Sequence, residues 1–191
     1  MSLTLTTAPA SDIITLTEAK AQVRDDGVAE DALIQTYISA AGAYLDGVDG
    51  VLGRALVTQV WELKLDAFPV NALRLPLPPL QVVNSVSYVD PAGANQTVAS
   101  FQTYFRNGIG FIRPDPGASW PATKVQENAV TVQFTAGYGA AAAVPASIRL
   151  AALMLIASAV KNREAEIAAS MAAPNPAIDR LLRPYTIQGF A

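Results

Sequence analysis

Residues 31 to 65 read DALIQTYISAAGAYLDGVDGVLGRALVTQVWELKL, and the spacing of the apolar residues changes within this stretch. From Leu33 to Leu52 they recur at intervals of three and four, which is typical of a long amphipathic helix. From Leu56 to Leu65 they alternate with other residues, which is typical of a half-buried strand. Gly53 lies between the two patterns and suits the C-terminal end of a helix. The stretch therefore predicts that a helical region passes into a β region here.

The β region continues to about residue 135 as short alternating segments separated by turns. The segment DPAG at 90–93 has the residue types of a tight turn, and Asn107-Gly108 is a hairpin signal. The remaining strands are predicted in the segments 73–75, 81–89, 96–98, 104–112 and 129–135. Short strands with turns at such close spacing predict a small antiparallel sheet or barrel.

Helical patterns lie on both sides of the β region. Before it, Leu16-Thr17-Glu18 predicts the start of a short helix, in which Thr17 would accept hydrogen bonds from the first amides. After it, Pro145 opens a segment with apolar residues on nearly all sides, so this helix should be largely buried. Beyond residue 173, closely spaced prolines favour an extended arm with one turn at residues 178–182.

Together these patterns predict an α+β fold with a helical core, an inserted small antiparallel β module and an extended C-terminal arm. The core comprises two N-terminal helices within residues 1–53 and a long C-terminal helix within residues 145–173. The β module spans residues 54–144 and the arm spans residues 174–191. A chain of 191 residues can bury roughly 70% of the surface that its unfolded form exposes, so it needs no disulfide or metal for stability.

The composition excludes several kinds of active site. The chain has no cysteine and no histidine, so a thiolate nucleophile, a Cys/His zinc site and a Ser-His-Asp triad are impossible. Its net charge of −3 argues against non-specific binding to nucleic acid, which requires clustered Lys and Arg. The N-terminus has no basic leader and the apolar runs are too short or too interrupted to span a bilayer. We therefore expect neither a secretory signal nor a membrane segment.

The charge is unevenly distributed along the chain. Residues 1–50 hold eight acidic and two basic residues, whereas the other 141 residues hold eight acidic and eleven basic ones. Such asymmetry favours head-to-tail association between copies or with a partner. A solvated acidic pair of helices is the simpler interpretation.

One acidic cluster is a candidate for chemistry, and it consists of Asp25, Asp26, Glu30 and Asp31. Two carboxylates could serve glycoside hydrolysis or bind Mg²⁺. Acidic residues beside a helix start more commonly stabilise the positive end of the helix dipole. We therefore expect no enzymatic activity, no metal and no cofactor.

Two segments are candidate contact sites with other chains. The C-terminal arm carries apolar residues but has no room for a core of its own, which indicates docking on another chain unless the arm folds back. The predicted hairpin carries arginines around its turn, which could contact an acidic partner or simply be solvated. The candidate residues are Ile178, Leu181, Leu182, Arg183, Pro184, Tyr185, Ile187 and Phe190 in the arm, and Arg106, Asn107, Gly108 and Arg113 in the hairpin.

A ligand-binding function is an alternative. Trp61, Trp120 and the tyrosines of the hairpins could line a carbohydrate- or peptide-binding groove on the β module, with the helices as a stalk. For Trp120, which lies in the sequence SWP, packing within a loop is the simpler interpretation. This alternative requires an aromatic-lined groove in the monomer.

Seven segments, taken in order, resemble a known family. They are TLTEAKAQVR (15–24), RALVTQVWELKLDAFP (54–69), LRLPLPPLQVVNSVSYVDPAGANQTV (73–98), SWPAT (119–123), AVTVQFTAGYG (129–139), VPASIRLAALMLIA (144–157) and LLRPY (181–185). In this order the chain resembles the head–tail connector proteins of tailed bacteriophages, prophages and gene transfer agents, which are also called adaptor or head-completion proteins. The resemblance covers nearly the whole chain, although no single segment is diagnostic alone.

The resemblance implies a structural role in virion assembly. Such adaptors form a ring of about twelve subunits, a cyclic head-to-tail assembly in the particle neck. The ring joins the portal protein to a tail-side neck or stopper protein and lets DNA pass through its lumen without specific binding. Carried over to this chain, the arm would bind the portal, and the hairpin tip would face the tail side or another subunit. The protein would assemble in the bacterial cytoplasm, without a membrane.

Overall fold

The computed structural model of the chain describes residues 1–106, 108–161 and 175–187. The chain divides into two compact units. The first, here called the β unit, comprises Met1–Ala10 and Thr58–Gly137. The second, the helical unit, comprises Ser11–Val57 and Tyr138–Ala191. The chain therefore begins in the β unit, enters the helical unit, returns to the β unit and ends in the helical unit.

The β unit contains two antiparallel sheets among its described residues. The five-stranded sheet has the order β1-β2-β8-β4-β5 and the three-stranded sheet has the order β3-β7-β6. The strands are β1 (Ser2–Thr7), β2 (Gln59–Leu65), β3 (Leu73–Arg74), β4 (Leu80–Val89), β5 (Asn95–Thr97), β6 (Gln102–Arg106), β7 (Ile109–Arg113) and β8 (Val130–Ala136).

The core of the β unit follows from the alternation in β2 and β8. Trp61 lies opposite Phe134, and Leu63 lies opposite Val132, so the apolar residues of both strands share one face. All four side chains are buried. Gln59 is buried on the same face and accepts a hydrogen bond from the Trp61 indole nitrogen at 3.1 Å, so the ring nitrogen has a partner in the core. The period of two in the sequence thus sets the buried face.

The described part of the helical unit contains four α-helices and a short 3₁₀ turn. The helices are α1 (Leu16–Val23), α2 (Asp31–Leu45), α3 (Ala146–Lys161) and α4 (Pro176–Leu182), and the 3₁₀ turn is Ala141–Ala143. Every third or fourth residue of α2 enters a common core with α3; in α2 these residues are Ile34, Ile38, Ala41 and Leu45. None of the helices in the described ranges is both long and apolar enough to cross a membrane.

The predicted α+β class is confirmed, but four details differ from the sequence expectations. The first turn of α1 is capped by Thr15 rather than Thr17, because the Thr15 hydroxyl accepts from the Glu18 amide and the Glu18 carboxylate accepts from the Thr15 amide. This reciprocal pair is a capping box. Helix α2 ends at Leu45 rather than near residue 52, because Asp46 has an extended backbone and Gly47 then turns the chain with a φ of 82°.

The other two differences concern the chain ends. The sequence placed residues 1–10 with the helices, yet Ser2–Thr7 forms an edge strand that pairs with β2. The segment has only two apolar residues among its threonines, so its own pattern is weak and the open edge of β2 decides its conformation. The C-terminal segment was predicted to be an extended arm with one turn at residues 178–182, and that turn belongs to a helix that runs from Pro176 to Leu182.

Candidate interaction surfaces

The C-terminal segment lies on the helical unit instead of extending away from it. Asn175 caps α4 by accepting a hydrogen bond from the Ala177 amide at 3.0 Å, and Pro176 occupies the first turn, where no amide is needed. Ile178 and Leu182 are four residues apart and therefore share one face of the helix. Both are only 6% exposed and belong to the core that α3 contributes to.

Two hydrogen bonds hold the chain after α4, and a third orients Arg54. The Ile187 amide donates to the Leu52 carbonyl at 3.1 Å. The guanidinium of Arg54 donates from Nε to the Tyr185 carbonyl and from Nη1 to the Tyr138 hydroxyl, the latter at 3.4 Å. Arg54, Tyr138 and Tyr185 come from three of the segments on which the family resemblance rests, and the fold brings them together.

The electrostatics of this contact centre on Tyr138. Burial raises the pKa of the Tyr138 phenol above its ordinary value of 10.0. The charge of Arg54 opposes that increase, and Tyr185 adds to it. The phenol therefore stays neutral at physiological pH and can accept the hydrogen bond from Arg54.

The predicted arm residues fall into three groups in the structure. Ile178 and Leu182 are buried within their own chain, which corrects the expectation that they are available for docking. Leu181, Tyr185 and Ile187 are half-buried, whereas Arg183 and Pro184 are exposed. Phe190 lies outside the described residues. Several residues of this segment are exposed and remain for a partner: Asn175, Pro176, Ala177, Asp179, Arg180, Arg183, Pro184 and Thr186.

The hairpin of β6 and β7 separates two arginines that the sequence placed together. Arg106 lies opposite Ile109 at the tip, next to Gly108, whose φ of 77° suits the turn. Arg113 lies opposite Gln102 at the other end of the strand pair. Asn107 lies outside the described residues. Only Arg106 and Gly108 of the predicted residues are therefore at the described tip.

Side-chain contacts fix Arg113 along the hairpin. Its guanidinium donates from Nε and Nη2 to the Gln102 side-chain oxygen at 3.2 and 2.9 Å, and it lies 5.4 Å from the centre of the Tyr104 ring. Tyr104 in turn stacks on Phe111 at 5.3 Å. Near the tip, Phe105 is 59% exposed and was missed in the sequence. In the sequence, its position next to the predicted hairpin turn could have identified it as a candidate contact residue.

The acidic cluster near α1 is engaged by a lysine and by the backbone. Lys20 donates to the carboxylate of Asp31 and to the Gly27 carbonyl. Asp25 accepts from the Gly27 amide at 3.0 Å. Within residues 1–106, 108–161 and 175–187, no group of three or more acidic side chains is placed to hold a metal ion. The cluster thus has the contacts of a helix-connecting loop.

The two tryptophans do not line a common groove. Trp61 is buried in the core of the β unit. Trp120 stacks face to face on Phe68 with ring centres 4.6 Å apart, and its indole nitrogen donates to the Asn71 carbonyl at 3.1 Å. Tyr88 meets Phe68 edge-on at 5.9 Å. These contacts are those of aromatic packing beneath loops, and they offer no support for the ligand-binding alternative.

Comparisons with known proteins find similar chains in gene transfer agent (GTA) particles. No protein-family model and no curated protein matches the chain. Among solved structures, a chain from the neck of an empty GTA particle, computed with C6 symmetry, has a TM-score of 0.80 and 25% identity. A chain from the virion of a native GTA particle has a TM-score of 0.79 and 26% identity. Both likenesses cover 100% of this chain and 98% of the other.

A third structure agrees in fold. A chain from the neck of a native GTA particle, computed with C12 symmetry, has a TM-score of 0.74 and 23% identity over the same shares of both chains. The similarity therefore includes both units and both chain ends. The fold of this chain is that of chains found in the necks and virions of gene transfer agents.

Proposed function

We propose that this chain is a structural subunit of the neck of a gene transfer agent or tailed-phage particle. Copies form a closed ring that joins the portal to the tail and lets DNA pass. The observation that carries the proposal is the end-to-end likeness, at 25–26% identity, to chains of a GTA neck and a GTA virion. We therefore place this chain in the class of particle-neck components. Within that class we assign it the role of the adaptor that lies beneath the portal.

The chemistry of the chain is consistent with a passive ring. The chain has no histidine and no cysteine, so it lacks the most common general base and the thiolate nucleophile. In the acidic loop, Asp31 accepts from Lys20 and Asp25 accepts from the Gly27 amide. An acidic chain also suits a DNA conduit, because a lumen that held phosphates tightly would obstruct passage.

The exposed residues of the two candidate sites suggest the partners. Arg180, Arg183 and Pro184 are among the exposed residues of the C-terminal segment, and we assign them to the portal contact. Phe105 and Arg106 project near the tip of the β6–β7 hairpin, and we assign them to the tail-side neck protein or to a neighbouring subunit. Aromatic and arginine side chains are enriched where protein interfaces contribute most affinity.

The test is reconstitution with the portal protein encoded in the same genome. The purified chain is mixed with that portal and examined by electron microscopy and native mass spectrometry. We expect a closed ring of this chain attached to the portal. Finding neither a ring nor a complex would overturn the proposal.

Matched variants identify the portal contact. Arg180→Ala with Arg183→Ala should weaken the complex at low and moderate salt, because it removes two exposed positive charges without touching the buried face of α4. Lys124→Ala removes an exposed positive charge from the β unit and serves as the control. Equal binding by both variants would exclude the portal contact proposed for α4.

A further inference from the structure

The outward face of α2 has no charged side chain. Between Ala32 and Leu45 the helix contains no acidic or basic residue, although half of these positions are exposed. Leu33 and Tyr44 are exposed large residues at the two ends of this face. Helices that face water normally carry charged residues on the side opposite the core. The composition of this face is that of a surface covered by another protein.

One polar side chain on this face, Thr36, has its hydrogen-bond partner within the helix. The Thr36 hydroxyl donates to the Ala32 carbonyl at 3.0 Å, so it needs no partner from water. The Val51 amide donates to the Tyr44 carbonyl at 2.9 Å, which places Val51 against the end of the helix. Val48 and Val51 are themselves exposed and extend the apolar area. We call Leu33, Thr36, Ala40, Tyr44, Val48 and Val51 the α2 face.

Helix α3 has a second apolar surface that its own chain leaves partly open. Ile148, Ala152 and Leu155 point into the core, whereas Leu150 is 44% exposed and Met154 and Ala157 are half-buried. The last three recur at intervals of four and three residues and therefore form one stripe. Between Leu150 and Val160 no residue is charged. We call Leu150, Met154, Ala157 and the adjoining Lys161 the α3 face.

The charges around the two faces are opposite in sign. Residues 11–57 of the helical unit hold eight acidic and three basic residues, and Asp26 and Asp49 are exposed at the two ends of α2. The described residues of the other part, 138–161 and 175–187, hold four basic residues and one acidic residue. Lys161 is exposed at the end of the α3 face, whereas Arg180 and Arg183 lie in the C-terminal segment that we assign to the portal. Two such surfaces on one chain are complementary to each other.

We propose that the α2 face of one copy packs against the α3 face of the next copy. This inference rests on the proposed ring, and it names the contact that closes that ring. A head-to-tail contact requires two different surfaces on each subunit, and repetition of the contact closes a ring. Because α2 and α3 each turn their buried side to the same core, their outward faces are directed away from that core and can contact two different neighbours. The small side chains Ala40 and Ala157 allow the two helices to approach closely.

The chain has no cysteine, so directed cross-linking tests the contact. Ala40→Cys and Ala157→Cys chains are prepared separately, mixed with the portal under the reconstitution conditions and treated with a short bis-maleimide linker. We expect cross-linked dimers in the mixture of the two variants and none with either variant alone. A chain carrying both substitutions should give a ladder of higher oligomers. Ala92→Cys, in an exposed turn of the β unit, is the control.

A charge variant measures the contribution of the contact. Ala40→Glu should lower the yield of rings at least about tenfold, because an unpaired charge buried in an interface costs more than 1.4 kcal/mol. Adding Ala157→Lys to the same chain should restore assembly, because residue 40 of one copy would then face residue 157 of the next. Ala92→Glu should leave the yield unchanged.

The outcomes separate the two proposals. Rings that show the mixed cross-link support both. Rings that form without it, or that link Ala40→Cys chains to each other, overturn the α2–α3 contact and leave the ring intact. The absence of any ring or portal complex overturns the proposed function, and the contact with it.

Discussion

The two ends of the chain complete the two units in different ways. Strand β1 joins the β unit by backbone pairing with β2, and five of its six residues are exposed. Helix α4 joins the helical unit by burying Ile178 and Leu182. A backbone hydrogen bond contributes about 0.5–1.5 kcal/mol net, and ordering a residue costs about 1–2 kcal/mol. Burying a large aliphatic side chain contributes about 1.5–3 kcal/mol, so the C-terminal end should contribute more stability.

Deletion of residues 176–191 should give the largest change in stability and tests this difference between the two chain ends. It removes two buried aliphatic side chains, and each large-to-small change of that kind costs about 2–5 kcal/mol. The expected loss of about 4–10 kcal/mol is comparable with the whole stability of a typical domain. Urea unfolding followed by far-ultraviolet circular dichroism measures it. If the truncated chain unfolds at the same urea concentration as the full chain, the segment is a detachable arm after all.

A point variant distinguishes packing from chain length. Leu182→Ala keeps every backbone bond of α4 but removes a buried side chain, and it should cost about 2–5 kcal/mol. Arg183→Ala, at the next position, removes an exposed side chain and should change stability by less than about 0.5 kcal/mol. Equal effects of the two variants would contradict the placement of Leu182 in the core.

Arg54 provides the next test, because it holds the chain after α4. Arg54→Ala removes the donor to the Tyr185 carbonyl and should cost about 1.5 kcal/mol, the lower end of the range for hydrogen bonds from charged groups, since Arg54 is half-buried. Hydrogen exchange at the Ile187 amide, which bonds to Leu52, should become faster. Tyr138→Phe loses only the 3.4 Å contact and should show a smaller change. Unchanged exchange in Arg54→Ala would show that the guanidinium does not fix the tail.

Deletion of residues 2–7 should have a smaller effect on stability. Leu3 is the only half-buried residue of β1, so the expected loss is about 1 kcal/mol. The deletion also uncovers the edge of β2, and an open edge promotes strand pairing between molecules. Light scattering during mild heating should therefore increase more than the unfolding midpoint decreases. A loss as large as that of the C-terminal deletion would remove the contrast between the two ends.

Local sequence patterns predicted the interiors of the elements better than the chain ends. The helical spacing within Asp31–Leu45, the alternation within Gln59–Leu65 and that of Val130, Val132 and Phe134 lie in long or strongly patterned segments, where side-chain spacing alone specifies the buried face. The conformations of the two chain ends depend on surfaces that other parts of the chain form. Strand β1 needs the open edge of β2, and α4 needs the apolar surface of α3.

Sequence patterns were likewise insufficient to predict which residues meet at the candidate surfaces. The hairpin signal located the turn near Gly108, but the register that puts Arg113 opposite Gln102 emerges only when β6 and β7 pair. Arg54, Tyr138 and Tyr185 lie far apart in sequence, and no spacing rule predicts that they meet. The sequence showed that α3 is apolar on nearly all sides, but it did not single out the outward face of α2. Only the structure shows that the chain leaves the α2 face and the α3 face open.

The smallest expected effect on stability is that of the capping box at the start of α1, whose side-chain hydrogen bonds are partly exposed to solvent. The Thr15 amide donates to the Glu18 carboxylate at 2.9 Å, and Arg149 of α3 donates to its other oxygen. The bond from the Thr15 amide, helped by the Thr15 hydroxyl and Arg149, lowers the pKa of Glu18 below its ordinary value of 4.5. The charged carboxylate therefore stabilises the fold above pH 4.5, and this contribution is lost as the pH falls through the lowered pKa.

Glu18→Gln tests that contribution. At pH 7 the substitution should cost about 1 kcal/mol, which is typical for a cap or an exposed ion pair. Between pH 4.5 and pH 3 the native chain should lose stability faster than the variant, because the variant has no carboxylate to protonate at this position. Urea unfolding at pH 7, 4.5 and 3 provides the comparison. Parallel pH curves for the two chains would show that the Glu18 bonds do not persist in solution, and that only buried side chains connect α1 to α3.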